Sequence, residues 1–231
     1  MQGVGGSSPP SSTTSLIGQA QVVPRSVSPF VLATEGFVVV RKGRHMIQTG
    51  SGEARTARDG RRWILRPGRP TDGRPLARLF ADVRREGRWL ITSPGAVSEP
   101  SEAFWISEMI RADEHLVLVA EADGDVVGNV LVSVDRGVAT EHIGVLSITI
   151  ADGWRDVGIG SEMVAAAQRW ARERGLRKLS LGVFPDNERA VAVYEKRGFV
   201  REGLRREQYR TGDAFRDEVL MAWFPNAEAD R

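Results

Sequence analysis

An α/β sheet domain of mixed, α+β character is predicted for roughly the C-terminal three quarters of this 231-residue chain. Three observations predict it. From Trp63 onward, apolar periods of two and of about 3.6 residues follow one another in the order β, α, α, β, β, β, α, β, α, β, β. Asp123, Gly124 and Asp125 separate two β-rich runs as a hairpin turn does. A glycine-bearing loop, residues 155–161, joins a strand pattern to a helix pattern.

The first 24 residues are rich in Ser, Thr, Gly and Pro, with adjacent bulk only at Leu16 and Ile17. Such a segment buries too little apolar surface to offset the entropy of ordering, so disorder is expected. The run 37–40 can dock as a short strand, and 42–62 carries no periodicity. Residues 1–62 therefore read as a mostly disordered basic arm, 63–225 as the domain and 226–231 as a tail. Met46 is a second candidate start, because the pattern that follows needs nothing upstream of it.

Within the domain, 63–65 is a short strand closed by Arg66, Pro67 and Gly68. Residues 71–84 place Leu76, Leu79, Phe80 and Val83 on one helical face, and 101–112 do the same with Phe104, Trp105, Met109 and Ile110. Strands are expected at 115–122, 126–135 and 143–150. A helix over 160–174 repeats Met163, Val164, Ala167, Trp170 and Ala171 at helical spacing, and Gly175 stops it. Strand 178–183 leads to a helix capped by Asp186 or Asn187, with Lys196 and Arg197 in its last turn and Gly198 as its stop. Runs 199–209 and 215–223 close the chain as a hairpin, giving about seven strands and four helices.

Composition narrows the function classes. Apolar residues make up 41% and charged residues 27%, the balance of a chain able to bury a core. The absence of cysteine excludes disulfides, zinc–thiolate sites and thiol nucleophiles within this chain. No stretch reaches the roughly 18 unbroken apolar residues of a membrane span, and the start lacks a basic segment followed by an apolar one. No membrane partner and a cytoplasmic location are the expectations. There are 29 Arg and three Lys, but the acids nearly balance them. The arm carries eight basic and three acidic residues, net +5, and the remainder is net −3. Nucleic acid is not an expected partner, and any polyanion would meet the arm. His45 and His115 show no metal-ligand spacing, and no metal site is expected.

The loop 155–161 carries the chemistry: Arg155, Asp156, Val157, Gly158, Ile159, Gly160, Ser161. The first N–H groups of a helix have no intrahelical partner and its dipole is positive there, so a diphosphate can be held by backbone donors. Gly158 and Gly160 have no Cβ to keep phosphate oxygens away. Taken alone, the loop is equally an ordinary glycine turn. A P-loop is ruled out, because no Lys lies between Lys42 and Lys178; a dinucleotide fingerprint would need a third glycine in an early βαβ unit.

About 30 residues on come Val183, Phe184, Pro185, Asp186 and Asn187, then Ala190, then Tyr194, Glu195, Lys196, Arg197, Gly198 and Phe199. RxxGxG opening a helix, then a strand ending near Asn, a helix with Ala and Tyr, and Gly-Phe together resemble the coenzyme A-binding half of the GNAT superfamily of acetyl-CoA-dependent N-acetyltransferases. The feel is closest to its small-amine and protein or peptide branches, and the likeness extends more loosely over 63–224. The resemblance implies a mixed, splayed central sheet. Its central strand would lend backbone groups at Ile148, Thr149 and Ile150 to the pantetheine arm. The residues 155–161 would bind the diphosphate of acetyl-CoA, Asn187 would help hold it, and Tyr194 would face the thioester sulfur as the acid for the leaving thiolate. No metal is implied.

The implied activity is acetyl transfer to a primary amine of a small molecule or peptide by direct attack in a ternary complex, and a homodimer is one assembly open to such a domain. The general base is unassigned. Ribosomal-protein alanine acetyltransferases often carry Glu where Gly182 stands, and phosphinothricin-type enzymes often carry Glu where Val145 stands. Glu141, His142 or a water relay remain. Without a base, a non-catalytic acyl-CoA-binding regulatory module is the alternative. Trp89 and Trp105 read as core aromatics near the acceptor region, and Arg205, Arg206, Tyr209, Asp217 and Glu218 of the closing hairpin border it by family likeness.

Overall fold

The computed structural model describes residues 52–90, 98–112, 114–134 and 137–225. The expected disorder of the first 24 residues, the run 37–40, Met46, His45 and the tail 226–231 lie outside them.

Eight strands and four α-helices follow in the order β1 (Glu53–Thr56), β2 (Arg62–Pro67), α1 (Gly73–Arg85), α2 (Glu99–Arg111), β3 (Leu116–Ala122), β4 (Asp125–Val134), β5 (Ile143–Ile150), α3 (Ile159–Glu173), β6 (Lys178–Val183), α4 (Glu188–Lys196), β7 (Val200–Thr211) and β8 (Ala214–Trp223). A 3-10 turn, Pro70–Asp72, leads into α1. From β2 on, the order is the one expected from periodicity. The added strand, β1, pairs antiparallel with β2 from Glu53↔Leu65 to Thr56↔Arg62, so the folded body begins upstream of Trp63.

One mixed sheet runs β1-β2-β3-β4-β5-β6-β8-β7. All its pairings are antiparallel except β5 with β6, which touch only at Ile143↔Lys178, Gly144↔Leu179 and Val145↔Ser180. Beyond Val145, β5 continues to Ile150 paired with β4 alone, while β6 continues to Val183 paired with β8. The sheet therefore splits, and the backbone groups of the second half of β5 that face β6 find no strand partner.

Alternation along each strand sorts side chains to two faces. Leu146, Leu179, Leu181, Val219 and Met221 join Met163, Val164, Ala167 and Trp170 of α3 in the main core. The other face carries Val145, Ser147 and Thr149 of β5, Gly182 of β6 and Glu218 of β8; further along it, Val119 meets Leu76, Leu79 and Val83 of α1.

The expected stripe on α1 is the buried one. On α2 only its second half is: Ile110 packs against the second core, whereas Phe104 and Trp105 are 58% and 53% exposed and Glu102 and Ala103 are buried. Polar anchors turn this helix. Ser107 Oγ donates to the Pro70 carbonyl at 2.8 Å, and Glu102 pairs with Arg84 of α1. Trp105 is thus a surface aromatic, edge-on to Phe104, and only Trp89 packs against the second core. No helix among the described residues is long and apolar enough to cross a membrane.

Candidate active site

The loop after β5 is held by its own side chains. Arg155 Nε donates to the Ile150 carbonyl at 2.9 Å, and its two terminal nitrogens each lie 2.7 Å from an oxygen of Glu86, just past α1. Arg155 is therefore the pin that fixes the loop to α1, with its guanidinium engaged by a carboxylate. Asp156 has φ of 63° and pairs with Arg189 of α4. The Val157 carbonyl accepts from the Arg58 N–H at 2.9 Å.

Gly158 caps α3 with φ of 101°, a left-handed conformation that a side chain would strain. Ile159, 1% exposed, anchors the first turn in the core. The first-turn N–H groups of Ile159, Gly160 and Ser161 are then left without helical acceptors. Ser161 Oγ accepts from Arg197 Nε at 2.9 Å, tying α3 to the end of α4.

Beside this terminus lies a cleft of about 650 Å³ whose lining includes Arg55, Arg58, Gly158, Ser161, Lys196 and Arg197. Glu162, also in its wall, pairs with Arg55 and lies 3.7 Å from Arg197. Arg58 and Lys196 have no carboxylate partner among the described residues. The Arg58 side chain lies 3.8 Å from where a Cβ on Gly158 would stand. A cation held over the positive end of a helix dipole is unfavourable by itself and becomes favourable with an anion between them. Arg55 and Arg58 were not legible as site residues, because they fall in the stretch read as an arm; the Asp59-Gly60 turn between Arg55 and Arg61 was the available sign of a hairpin there.

Ile148 and Ile150 direct their side chains into the main core, and Thr149, 9% exposed, faces the opposite side. Toward the split the strand turns backbone of Ile148 and Ile150, with the Ile150 carbonyl already accepting from Arg155. Asn187 is the N-cap of α4, its Oδ1 accepting from Ala190 N–H at 3.3 Å. Tyr194, on α4, packs on the main core with its ring 5.7 Å from that of Phe199. Burial pushes its phenol up to about 12, and its hydroxyl makes no hydrogen bond to the described residues.

Glu141 and His142 are exposed and immediately precede β5, at the end where β5 and β6 are still paired. About 20 Å of strand separates His142 from Ile148. Neither side chain belongs to the open part of the split. His115 Nδ1 accepts from Val134 N–H at 3.3 Å, and the described residues hold no group of three metal-ligating side chains.

The closing hairpin places a polar cluster on the face opposite the main core. Tyr209 donates to Glu218 Oε1 at 2.8 Å, and Arg205 Nη1 lies 3.1 Å from Oε2. Burial first, then the bond to Glu218, raises the Tyr209 phenol. Phe184, at the end of β6, meets the Tyr209 ring edge-on at 5.6 Å. Arg216 of β8 stacks on Phe184 at 3.8 Å and donates to the Arg88 carbonyl at 2.6 Å, joining the hairpin to the segment after α1. Asp217 instead caps the bulge in β7, accepting from Glu207 N–H at 2.8 Å, and Arg206 is exposed.

The sequence and the fold have counterparts in known proteins. Residues 81–199 match the Acetyltransferase (GNAT) family. The L-amino acid N-acetyltransferase AaaT of Escherichia coli (strain K12) is 30% identical over 130 residues, spanning 54% of this chain and 78% of that protein. An acetyltransferase of GNAT family from Streptococcus pneumoniae has the same fold at a TM-score of 0.63 and 28% identity, over 70% of this chain and 98% of that one. A GNAT superfamily phosphinothricin acetyltransferase (Pat) from Sinorhizobium meliloti, solved in complex with AcCoA, shares the fold at a TM-score of 0.64 and 19% identity, over 73% and 92% of the two chains. The matched segment takes in the split strand β5, the loop, α3 and Tyr194, and on that ground this chain belongs to the Acetyltransferase (GNAT) family.

Proposed function

We propose that this protein transfers the acetyl group of acetyl-CoA to a primary amine of a small molecule or peptide, by direct attack in a ternary complex. The observation that carries the reading is the open N-terminus of α3, with Gly158 in a left-handed cap and a cationic cleft beside it, next to the split in the sheet. The residues fit coenzyme A. First-turn N–H groups at 159–161 would hold its diphosphate, Arg58 and Lys196 would meet its phosphate charge, and the edge of β5 over Ile148, Thr149 and Ile150 that has parted from β6, where the Ile150 carbonyl also accepts from Arg155, would take the pantetheine amides as a short added strand. When bound, the cofactor supplies an activated thioester carbonyl. Tyr194 is the candidate donor to the departing sulfur. Arg155, Asp156 and Asn187 shape the loop and the α4 cap around it.

Two measurements test this. Titration of coenzyme A into the folded protein is expected to release heat with one site, and incubation with acetyl-CoA and a panel of amines is expected to liberate thiol. Binding without thiol release across a broad panel would favour a non-catalytic acyl-CoA-binding module. Arg58→Ala is expected to weaken coenzyme A binding about 10- to 100-fold, the size of one charge-assisted hydrogen bond. Arg210→Ala, near the tip of the β7–β8 hairpin, is expected to leave affinity unchanged. Equal affinities for the two variants would remove Arg58 from the site.

A further inference from the structure

Gly182 stands on β6 two residues beyond Ser180, the last residue of that strand to touch β5, so it borders the open split. A Cβ built on it would come within 2.0 Å of Glu218 Oε1 and 2.6 Å of Glu218 Cδ. The Glu218 carboxylate therefore occupies the space that a side chain at 182 would fill. It reaches there from β8, the neighbouring strand, where Gly182 pairs with Leu220. Glu218 is 7% exposed, which for a carboxylate calls for several donors. Among the described residues it has two: the Tyr209 hydroxyl on one oxygen and a single N–H of Arg205 on the other. A carboxylate offers about four acceptor positions, so two remain for a donor arriving from the split.

We infer that Glu218 receives the ammonium group of the acceptor at the mouth of the split and takes up its proton, with Gly182 kept small to admit the carboxylate and Tyr209 and Arg205 holding it in place. This rests on the acetyl-transfer reading above. One proton passes from R–NH3+ to the Glu218 carboxylate. The freed nitrogen lone pair forms the C–N bond to the thioester carbonyl, the C–S bond breaks, and the departing thiolate is stabilised by a hydrogen bond from the donor on its side and takes up a proton from water. The second proton on nitrogen leaves to water as the amide forms. Tyr209 and Arg205 act through Glu218 and are positioning residues.

Glu218→Gln keeps the shape and an acceptor for one of the two donors, turns the other oxygen into an amide NH2, and cannot accept the proton. Its turnover at pH 7 is expected to fall about 10²-fold, with coenzyme A affinity unchanged and the amine KM raised. The deficit is expected to shrink below 10-fold near pH 10, where the amine is already neutral in solution; a merely structural role would not produce that convergence. Moving the carboxylate is the second arm. In the double variant Glu218→Ala with Gly182→Asp, turnover is expected to recover at least 10-fold over Glu218→Ala alone, because position 182 projects into the same space. An active wild type matched within threefold by Glu218→Gln at all pH values would overturn the inference and leave acetyl transfer standing. A folded double variant no faster than Glu218→Ala would also overturn it. A wild type that binds coenzyme A and acetylates no amine would overturn both.

Discussion

Tyr194→Phe is expected to lower turnover about 10²-fold while coenzyme A affinity stays near normal. From sequence, a phenol with an ordinary pKa of about 10 is only modestly weaker as an acid than a thiol near 8.5. In the folded protein burial holds the Tyr194 phenol up to about 12. Complete proton transfer to a thiolate would then be uphill by about 5 kcal/mol, so Tyr194 serves best as a hydrogen-bond donor to charge developing on sulfur. Its hydroxyl, with no partner among the described residues, is available for that bond. Single-turnover measurements separate this loss from binding, and an unchanged rate would end the assignment.

The same burial sets an alkaline signature. The folded value lies above the unfolded one, so the contribution of Tyr194 to stability is complete below pH 10 and is lost as pH rises toward 12. Tyr209 is raised as well, and the chain has only these two tyrosines. Phenolate absorbance should therefore stay low through pH 10. A tyrosine titrating normally would contradict the burial of one of them.

The second large effect concerns stability. Arg66 and Asp72 are each 5% exposed and meet through two bonds of 2.7 and 3.0 Å, with Glu121 of β3 at 2.7 Å from Arg66 Nε. Burial opposes ionisation of Asp72, but the Arg66 bond and the Arg69 N–H outweigh it and hold the carboxyl below its usual range. The Asp72 bond likewise raises Arg66. Arg66→Ala leaves Asp72 buried without its ion-pair partner and is expected to cost about 3–5 kcal/mol, or on the order of 10 °C in Tm; Asp72→Ala leaves Arg66 with Glu121 and is expected to cost somewhat less. Replacing both by apolar residues of similar size should cost less than either single change. Because the folded pKa of Asp72 lies below the unfolded one, this contribution is present above about pH 4 and fades as pH falls through the folded value. Urea melts of the three variants at pH 7 check the ranking. The pair also bears on function, since it seats the start of α1, and the segment ending α1 carries Glu86, the partner of Arg155.

The order of elements was legible because strand and helix periods, turns and caps are local properties. The extent of β5 and β6, the hairpin turn at Asp123–Gly124, the Asn187 cap and the Gly175 and Gly198 stops all lie where the residues put them. The glycine loop that opens α3 was legible for the same reason: glycines at a strand-to-helix junction act on their own backbone. Where a side chain's role depends on what packs across from it, local reading failed. The first half of the apolar stripe of α2, Phe104 and Trp105, was misassigned because Ser107 and Glu102 find partners on Pro70 and Arg84. That Arg155 meets Glu86, 69 residues away in sequence, is likewise invisible to a local reading.

The sequence by itself determined the succession of strands and helices, the glycine cap that opens the start of α3, and the membership of the acetyltransferase family that these imply, since each rests on neighbours along the chain. Only the tertiary structure decided that β1 brings Arg55 and Arg58 to the cleft, that β5 and β6 part after three pairs, and that the carboxylate filling the space at Gly182 belongs to Glu218. Those facts are fixed by which strands lie side by side, and side-by-side placement is set by burying two faces of one sheet at once, a condition no single segment of the chain records.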